Sequence, residues 1–186
     1  MALSLSITPL DLPLVHPFTI ARGTESVAHT AVFHLDSHEG QGIGESAPIA
    51  RYNESVESVI AYFKDHPLRA DDPFLLDVLL HDGIPPAARC GLDIALHDLM
   101  GRACGQPLYR LLGLDPKATP LTSFTIGIGE RELTMRKVAE IGDHPVLKVK
   151  LGSGSVKDEV ETIEAIRSKY TGTIRVDANE GWNAEQ

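Results

Sequence analysis

The sequence has few cysteines, no long hydrophobic run and no excess of positive charge, and each absence excludes a class of protein. Its 186 residues carry 26 acidic and 17 basic side chains, a formal net charge of -9. That balance argues against nucleic acid and against an anionic membrane surface as partners. No window holds the roughly 18 consecutive apolar residues that a membrane span needs. The N-terminus lacks the basic segment and apolar core of a secretory signal, so we expect a cytoplasmic protein.

The two cysteines do not predict a disulfide framework. Cys90 and Cys104 lie 14 residues apart on a predicted helical stretch, which separates them by about 20 Å at 1.5 Å per residue. A disulfide needs Cα atoms within about 7 Å. We therefore expect free thiols in a reducing compartment, each buried as a small apolar side chain.

Residues 1–115 have the pattern of an α+β domain that opens with a three-stranded antiparallel meander. Apolar residues alternate with serine and threonine over 3–8, the period of a half-buried strand. Pro13 and Pro17 make the continuation an edge strand or a loop. The further elements predicted here are strands over 28–35 and from 42, then helices over 54–64, from 73, over 85–102 and over 107–112.

Residues 116–186 follow a different pattern, in which strands alternate with helices. This alternation implies a parallel sheet, and residues 114–120 are interpreted as the linker that precedes it. The predicted strands are 121–126, 146–151 and 173–177, and the predicted helices are 130–141 and 155–169.

The strand over 146–151 carries the most chemical information. Its period places Lys148 and Lys150 on one face and apolar side chains on the other. We expect the apolar face to pack against helices and the lysines to point into a barrel or crevice. Mutual repulsion and burial both lower a lysine pKa, and a lysine close to neutrality can act as a general base. The alternative is an exposed edge strand with two solvated lysines.

The next strand ends in a carboxylate, Asp177, which parallel pairing brings to the same rim as the lysines. A carboxylate is a hard oxygen ligand that suits magnesium. A helix N-cap, or an ion pair with Lys148 or Lys150, remains an alternative for Asp177. A competing interpretation takes Gly152-Ser153-Gly154 and Asp177 as a dinucleotide fingerprint. Against it, Lys157 stands where the third glycine belongs, and lysines interrupt the preceding strand.

These residues resemble the enolase superfamily, and within it the muconate-lactonizing subgroup. The resemblance rests on Lys148-Val149-Lys150 and on the run Asp177-Ala178-Asn179-Glu180-Gly181-Trp182. The segments 16–23, 42–48 and 87–98 are similar to the capping domain of L-Ala-D/L-Glu type dipeptide epimerases. The resemblance implies an α+β capping domain followed by the first strands and helices of a β/α (TIM-like) barrel. Since a whole barrel takes about 250 residues, we expect only strands 1 to 3 of it here.

The resemblance also implies an activity, the magnesium-dependent epimerisation of a dipeptide by 1,1-proton transfer through an enediolate, with Mn²⁺ as an alternative ion. Lys150 matches the acid/base on one face of the α-carbon, and Lys148 the neighbour that tunes it and helps neutralise the enolate oxygen. Asp177 matches the first of three metal ligands. The second acid/base and the other two ligands would belong to later strands, so we expect the 186-residue chain alone to be inactive.

Three residues match substrate-contacting positions of that family: Arg22, Thr125 and Phe18. Arg22 would pair with a distal carboxylate such as a glutamyl side chain. The alternatives are a solvated loop arginine for Arg22 and a core position of the capping domain for Phe18.

Two further sets of functions remain open from the sequence. The o-succinylbenzoate synthases, N-acyl amino acid racemases and muconate cycloisomerases share the lysines and the aspartate, and differ in the capping loops and the distal barrel. A non-catalytic module that binds a partner or a small molecule is the alternative outside the enzymes. For an enzyme we expect a small-molecule partner, a dipeptide or related carboxylate. The sequence leaves the oligomeric state open, a homo-oligomer included.

Overall fold

In the computed structural model, which describes residues 3–185, the chain divides into two compact units. Among the described residues, the first comprises 3–12 and 28–118, and the second 13–27 and 119–185. The tip of the N-terminal hairpin therefore groups with the C-terminal part of the chain. The single domain boundary at 115/116 stays a prediction.

The N-terminal sheet has three strands in the order β1-β2-β3, namely β1 (Ser4–Ile20), β2 (Gly23–Ser37) and β3 (Gly40–Ser46). β2 and β3 are antiparallel, with Ala31 opposite Ser46 and Ser37 opposite Gly40. β1 runs through Pro13 without interruption. An edge strand tolerates proline because the missing N–H faces outward, so the continuation is an edge strand and not a loop.

Four α-helices follow among the described residues of the first unit: α1 (Val56–Asp65), α2 (Leu76–Leu79), α3 (Pro86–Ala103) and α4 (Leu108–Leu111). A reciprocal capping box starts α1, where the N–H of Ser58 donates to Ser55 Oγ and the N–H of Ser55 donates to Ser58 Oγ. The helix expected from residue 73 begins only at Leu76. Asp72 accepts the N–H of Phe74 at 2.9 Å, and this local turn competes with an earlier helix start.

The core of the first unit forms where α3 packs on the sheet. Its largest fully buried side chains are Phe33, Leu35, Leu92, Leu96 and Leu99. The expectation of buried thiols is wrong: Cys90 and Cys104 are free, as predicted, but both are exposed.

The second unit contains a parallel sheet in the order β4-β5-β6, with a helix between consecutive strands. The elements are β4 (Phe124–Ile126), α5 (Arg131–Ile141), β5 (Val146–Lys150), α6 (Val156–Arg167) and β6 (Thr173–Asp177). β4 is shorter than predicted, and the preceding linker contains a 3-10 turn at Pro116–Ala118. No helix among residues 3–185 is both long and apolar enough to cross a membrane.

The two faces of β5 differ as its sequence predicts. Leu147 and Val149 are at most 2% exposed and belong to a core that includes Val138 of α5 and Ile166 of α6. Because side chains alternate along a strand, the two lysines occupy the opposite face. The parallel sheet of the second unit thus has one apolar face, which packs against helices, and one face that carries the lysines.

Candidate active site

Two lysines and one carboxylate meet at the carboxyl ends of β5 and β6. Lys148 Nζ and Lys150 Nζ each lie 2.9 Å from the same oxygen, Oδ2 of Asp177. The side chain of Lys150 is 8% exposed and that of Lys148 37% exposed. The pair is therefore not a set of solvated lysines on an open edge strand. Asp177 forms the ion pair that the sequence left open as an alternative, and its partners are both lysines.

The surroundings of Asp177 favour its ionised form. Hydrogen bonds from Lys148, then Lys150, and from the backbone N–H of Asn179 hold the pKa of the Asp177 carboxyl well below its usual range. The Asn179 N–H reaches the other carboxylate oxygen, Oδ1, at 2.9 Å. Asp177 is consequently an anion at neutral pH, as a cation ligand must be.

The strand register extends this rim across all three strands. Thr125 pairs with Lys148, which in turn pairs with Arg175, and Lys150 pairs with Asp177. Residues in register share a face, so Thr125 lies on the lysine side of the sheet. Arg175 shares that face and brings a third cationic side chain, for which the sequence pattern predicts no role.

The hairpin tip of residues 13–27 brings two more predicted residues to the second unit. The Phe18 ring lies under Lys150, with Nζ 5.8 Å from its centroid, a cation–π distance. Arg22 Nη1 donates to the carbonyl of Asn179 at 3.0 Å and lies 3.8 Å from a carboxylate oxygen of Glu180. The tip is anchored by the N–H of Ile128, which donates to the Thr19 carbonyl at 2.9 Å.

All six residues predicted for the site thus belong to the second unit. Phe18 is 36% exposed, which does not fit the alternative of a core position. Arg22 is hydrogen-bonded to the loop after β6 and is not simply a solvated loop arginine. The roles of the six residues in substrate and metal binding stay predictions.

Glu159 is a buried residue of the site region that the motifs in the sequence do not predict. One carboxylate oxygen accepts the N–H groups of Gly152, Ser153 and Gly154, and the other accepts the indole N–H of Trp182. Burial acts to raise the pKa of Glu159, but these hydrogen bonds outweigh it and lower the pKa. An acidic residue in the first turn of α6 after a Gly-Ser-Gly loop was the available signal.

The donor set fits part of a magnesium site. Asp177 offers an ionised carboxylate, and Mg²⁺ is usually held by one or two carboxylates together with waters and substrate oxygens. Asn179 Oδ1 is buried, and no donor among the described residues reaches it. A ligand or a bound water would satisfy such an acceptor. Within residues 3–185 no three His, Cys, Asp or Glu side chains form a metal-binding group.

Comparison with known proteins identifies the family. Residues 4–113 match the N-terminal domain of the mandelate racemase / muconate lactonizing enzyme family. The chain belongs to this family. The resemblance to the enolase superfamily is therefore confirmed, as is the fold class, an α+β capping domain followed by the start of a β/α barrel.

Relatives of this family member include dipeptide epimerases. The chain is 36% identical over 191 residues to an L-Ala-D/L-Glu epimerase of Bacteroides thetaiotaomicron, covering 99% of this chain and 49% of the relative. It is 35% identical over 176 residues to an L-Ala-D/L-Glu epimerase of Escherichia coli, covering 93% and 54%. A dipeptide epimerase from Cytophaga hutchinsonii, solved with Mg and the dipeptide D-Ala-L-Val, superposes with a TM-score of 0.85 at 28% identity, covering 100% and 54%. The chain spans about half the length of the curated relatives it matches.

Proposed function

We propose that this chain contributes one half of the active site of a magnesium-dependent dipeptide epimerase of the L-Ala-D/L-Glu type. The observation that carries the proposal is the convergence of Lys148 and Lys150 on Asp177, 2.9 Å from each ammonium group. The relatives support the substrate class, since two of them are L-Ala-D/L-Glu epimerases.

Lys150 is the group that moves the proton. In its neutral form the Nζ lone pair takes the α-proton, and the C–H electrons stay on the substrate. The second acid/base, expected on later strands, gives a proton to the opposite face of the same carbon; Lys150 ends protonated and that group deprotonated, so atoms and charge balance. Lys148 adds a positive charge on the side where the substrate becomes more negative. Mg²⁺ held at Asp177 would supply Lewis-acid stabilisation of the substrate carboxylate.

The substrate side of the site is built from Phe18, Arg22 and Thr125. Arg22 offers a guanidinium for a distal carboxylate, which suits a glutamyl side chain. Thr125 of β4 is paired with Lys148 of β5, so its hydroxyl lies on the face that carries the lysines. The Phe18 ring covers Lys150 with an apolar surface. An apolar cover limits water access to the amine and strengthens electrostatic interactions there.

The other functions considered are less well supported. A non-catalytic module predicts an exposed lysine pair, whereas Lys150 is buried. The related synthase, racemase and cycloisomerase activities would use the same lysines and aspartate. A panel of substrates therefore has to separate them from a dipeptide epimerase.

The test uses the chain completed to the length of its relatives, in D₂O with Mg²⁺ and L-Ala-L-Glu. We expect NMR to show loss of the α-proton signal together with appearance of the second epimer. Chelation by EDTA should stop both, and added Mg²⁺ or Mn²⁺ should restore them. Exchange with an N-succinyl amino acid but not with the dipeptide would indicate a racemase. A folded protein that exchanges no α-proton in any substrate would refute the proposal.

A further inference from the structure

The Glu159 carboxylate is buried among uncharged donors in the second unit. It is 7% exposed. Its Oε1 accepts three consecutive backbone N–H groups, from Gly152 at 2.6 Å, Ser153 at 3.1 Å and Gly154 at 3.2 Å. Its Oε2 accepts the Trp182 indole N–H at 2.7 Å. A carboxylate is costly to bury, and these four hydrogen bonds offset that cost. The carboxylate therefore holds all four donor groups in place.

The four donors belong to two different loops. Residues 152–154 follow β5 almost directly, and β5 ends at Lys150. Trp182 lies in the loop after β6, which ends at Asp177. A single side chain from α6 therefore joins the loops that follow the two strands of the candidate active site.

The two loops also touch through their backbones. A Cβ added at Gly152 would collide with the carbonyl of Ala178, and one at Gly181 with the carbonyl of Gly152. The N–H of Leu151 donates to the Asp177 carbonyl at 3.0 Å. At such close approach, a displacement of one loop displaces the other.

The turn that aims Asp177 is held in an unfavourable backbone conformation. Asn179 and Glu180 have φ values of 47° and 67°, the left-handed region, which asparagine tolerates but glutamate seldom adopts. Such conformations persist where the surroundings over-determine them. Asn179 in this turn donates its N–H to Asp177 Oδ1, and Trp182 at its far end is held by Glu159.

We infer that Glu159 is a positioning residue that fixes Asp177 and Lys150 by clamping both loops. The inference rests on the proposed function, in which Asp177 holds the metal and Lys150 moves the proton. Glu159 touches neither substrate nor metal, and it acts through residues 152–154 and Trp182.

Glu159→Gln is the informative variant. The amide keeps the size of the side chain but replaces one acceptor oxygen with a donor, so it cannot satisfy both loops. Glu164→Gln, at an exposed position of the same helix, makes the same charge change and is the matched control. Trp182→Phe removes the indole donor together with part of the ring, and leaves Glu159 in place.

The first experiment is amide hydrogen exchange of the completed protein without metal. We expect E159Q to lose protection in peptides covering 152–154 and 178–182, while E164Q keeps it. W182F should lose protection mainly over 178–182. If circular dichroism shows that E159Q is unfolded, the exchange of W182F over 178–182 decides the question instead. Wild-type protection in E159Q, or in W182F over 178–182, would overturn the inference, whether or not the protein binds metal.

The second experiment is a Mn²⁺ titration followed by electron paramagnetic resonance of the free ion. Loss of a side chain that orients a ligand typically weakens metal binding about 10–100-fold. We expect a Kd increase of that size in E159Q and none in E164Q. Failure of the wild type to bind Mn²⁺ would count against the proposed function. Tight Mn²⁺ binding by both wild type and E159Q would overturn the role of Glu159 alone.

Discussion

At the scale of single residues, Asp177 links the two lysines of the site. One carboxylate oxygen lies 2.9 Å from both ammonium groups. Without that anion, two cations would face each other on neighbouring positions of one strand face. In the proposed function this carboxylate also binds the divalent cation. Its contacts with both lysines place it on the same rim as they are.

The pH dependence of stability should report on Asp177. Its pKa in the folded protein lies below the ordinary value near 3.9. Its contribution to the free energy of unfolding is therefore present above about pH 4 and is lost as the pH falls through the folded pKa. We expect D177N to be less stable than wild type at pH 7 by about 1–3 kcal/mol, and to lose less stability between pH 4 and pH 2.5.

Urea unfolding at these pH values, followed by circular dichroism, measures the difference. Asp143→Asn, at an exposed position of the same unit, is the control and should behave as wild type. Parallel stability curves for D177N and D143N would contradict the assigned ion pairs.

The sequence predicted the lysine pair and Asp177 because each follows from a local rule. Alternation assigns the faces of a strand, and parallel pairing brings strand ends to one rim. Glu159 could not be found in this way. Its partner Trp182 lies 23 positions away, and the contact depends on how two loops meet after folding.

At the scale of elements, the packing of α3 on β3 depends on glycine. A Cβ added at Gly44 would collide with the carbonyl of Gly91 and approach the backbone N of Ala95 to 2.7 Å. Backbone atoms cannot move aside as a flexible side chain can. Gly129 has room for a Cβ, whose nearest neighbour would lie 3.7 Å away at Leu133.

We therefore expect Gly44→Ala to destabilise the first unit, and Gly129→Ala to leave the second unit, to which Gly129 belongs, nearly unchanged. Overpacking of this kind costs about 1–3 kcal/mol. Thermal unfolding of both variants by circular dichroism measures the effect. Equal Tm values for G44A, G129A and wild type would show that the helix does not rest on the strand as described.

The bounds of helices and strands were predictable where the apolar periodicity was strong. They were not predictable where contacts with distant residues determined where an element begins or ends. α3 and β5 lie within a residue or so of their predicted bounds. β1 continues past Pro13 because it is an edge strand, a position that the chain reaches only by pairing with β2. α2 is shortened by the turn at Asp72, where two local preferences compete.

At the scale of the whole molecule, the division into units does not follow the order of the chain. The hairpin tip that carries Phe18 and Arg22 groups with the parallel sheet. The contact of Arg22 with Asn179 spans 157 positions. Sequence patterns describe neighbours along the chain, so they do not reveal that this tip groups with residues as distant as 119–185.

The proposed proton transfer is tested most directly by α-proton exchange measured separately from each epimer of the Ala-Glu dipeptide. Since Lys150 is assigned to one face of the α-carbon, Lys150→Gln in the completed protein should slow exchange from one epimer by at least about 100-fold. Exchange from the other epimer should persist, and inversion should stop. Lys157→Gln, at an exposed position of α6, should retain both exchanges and inversion. Wild-type exchange from both epimers in K150Q would contradict the assignment of Lys150 and with it the proposed function.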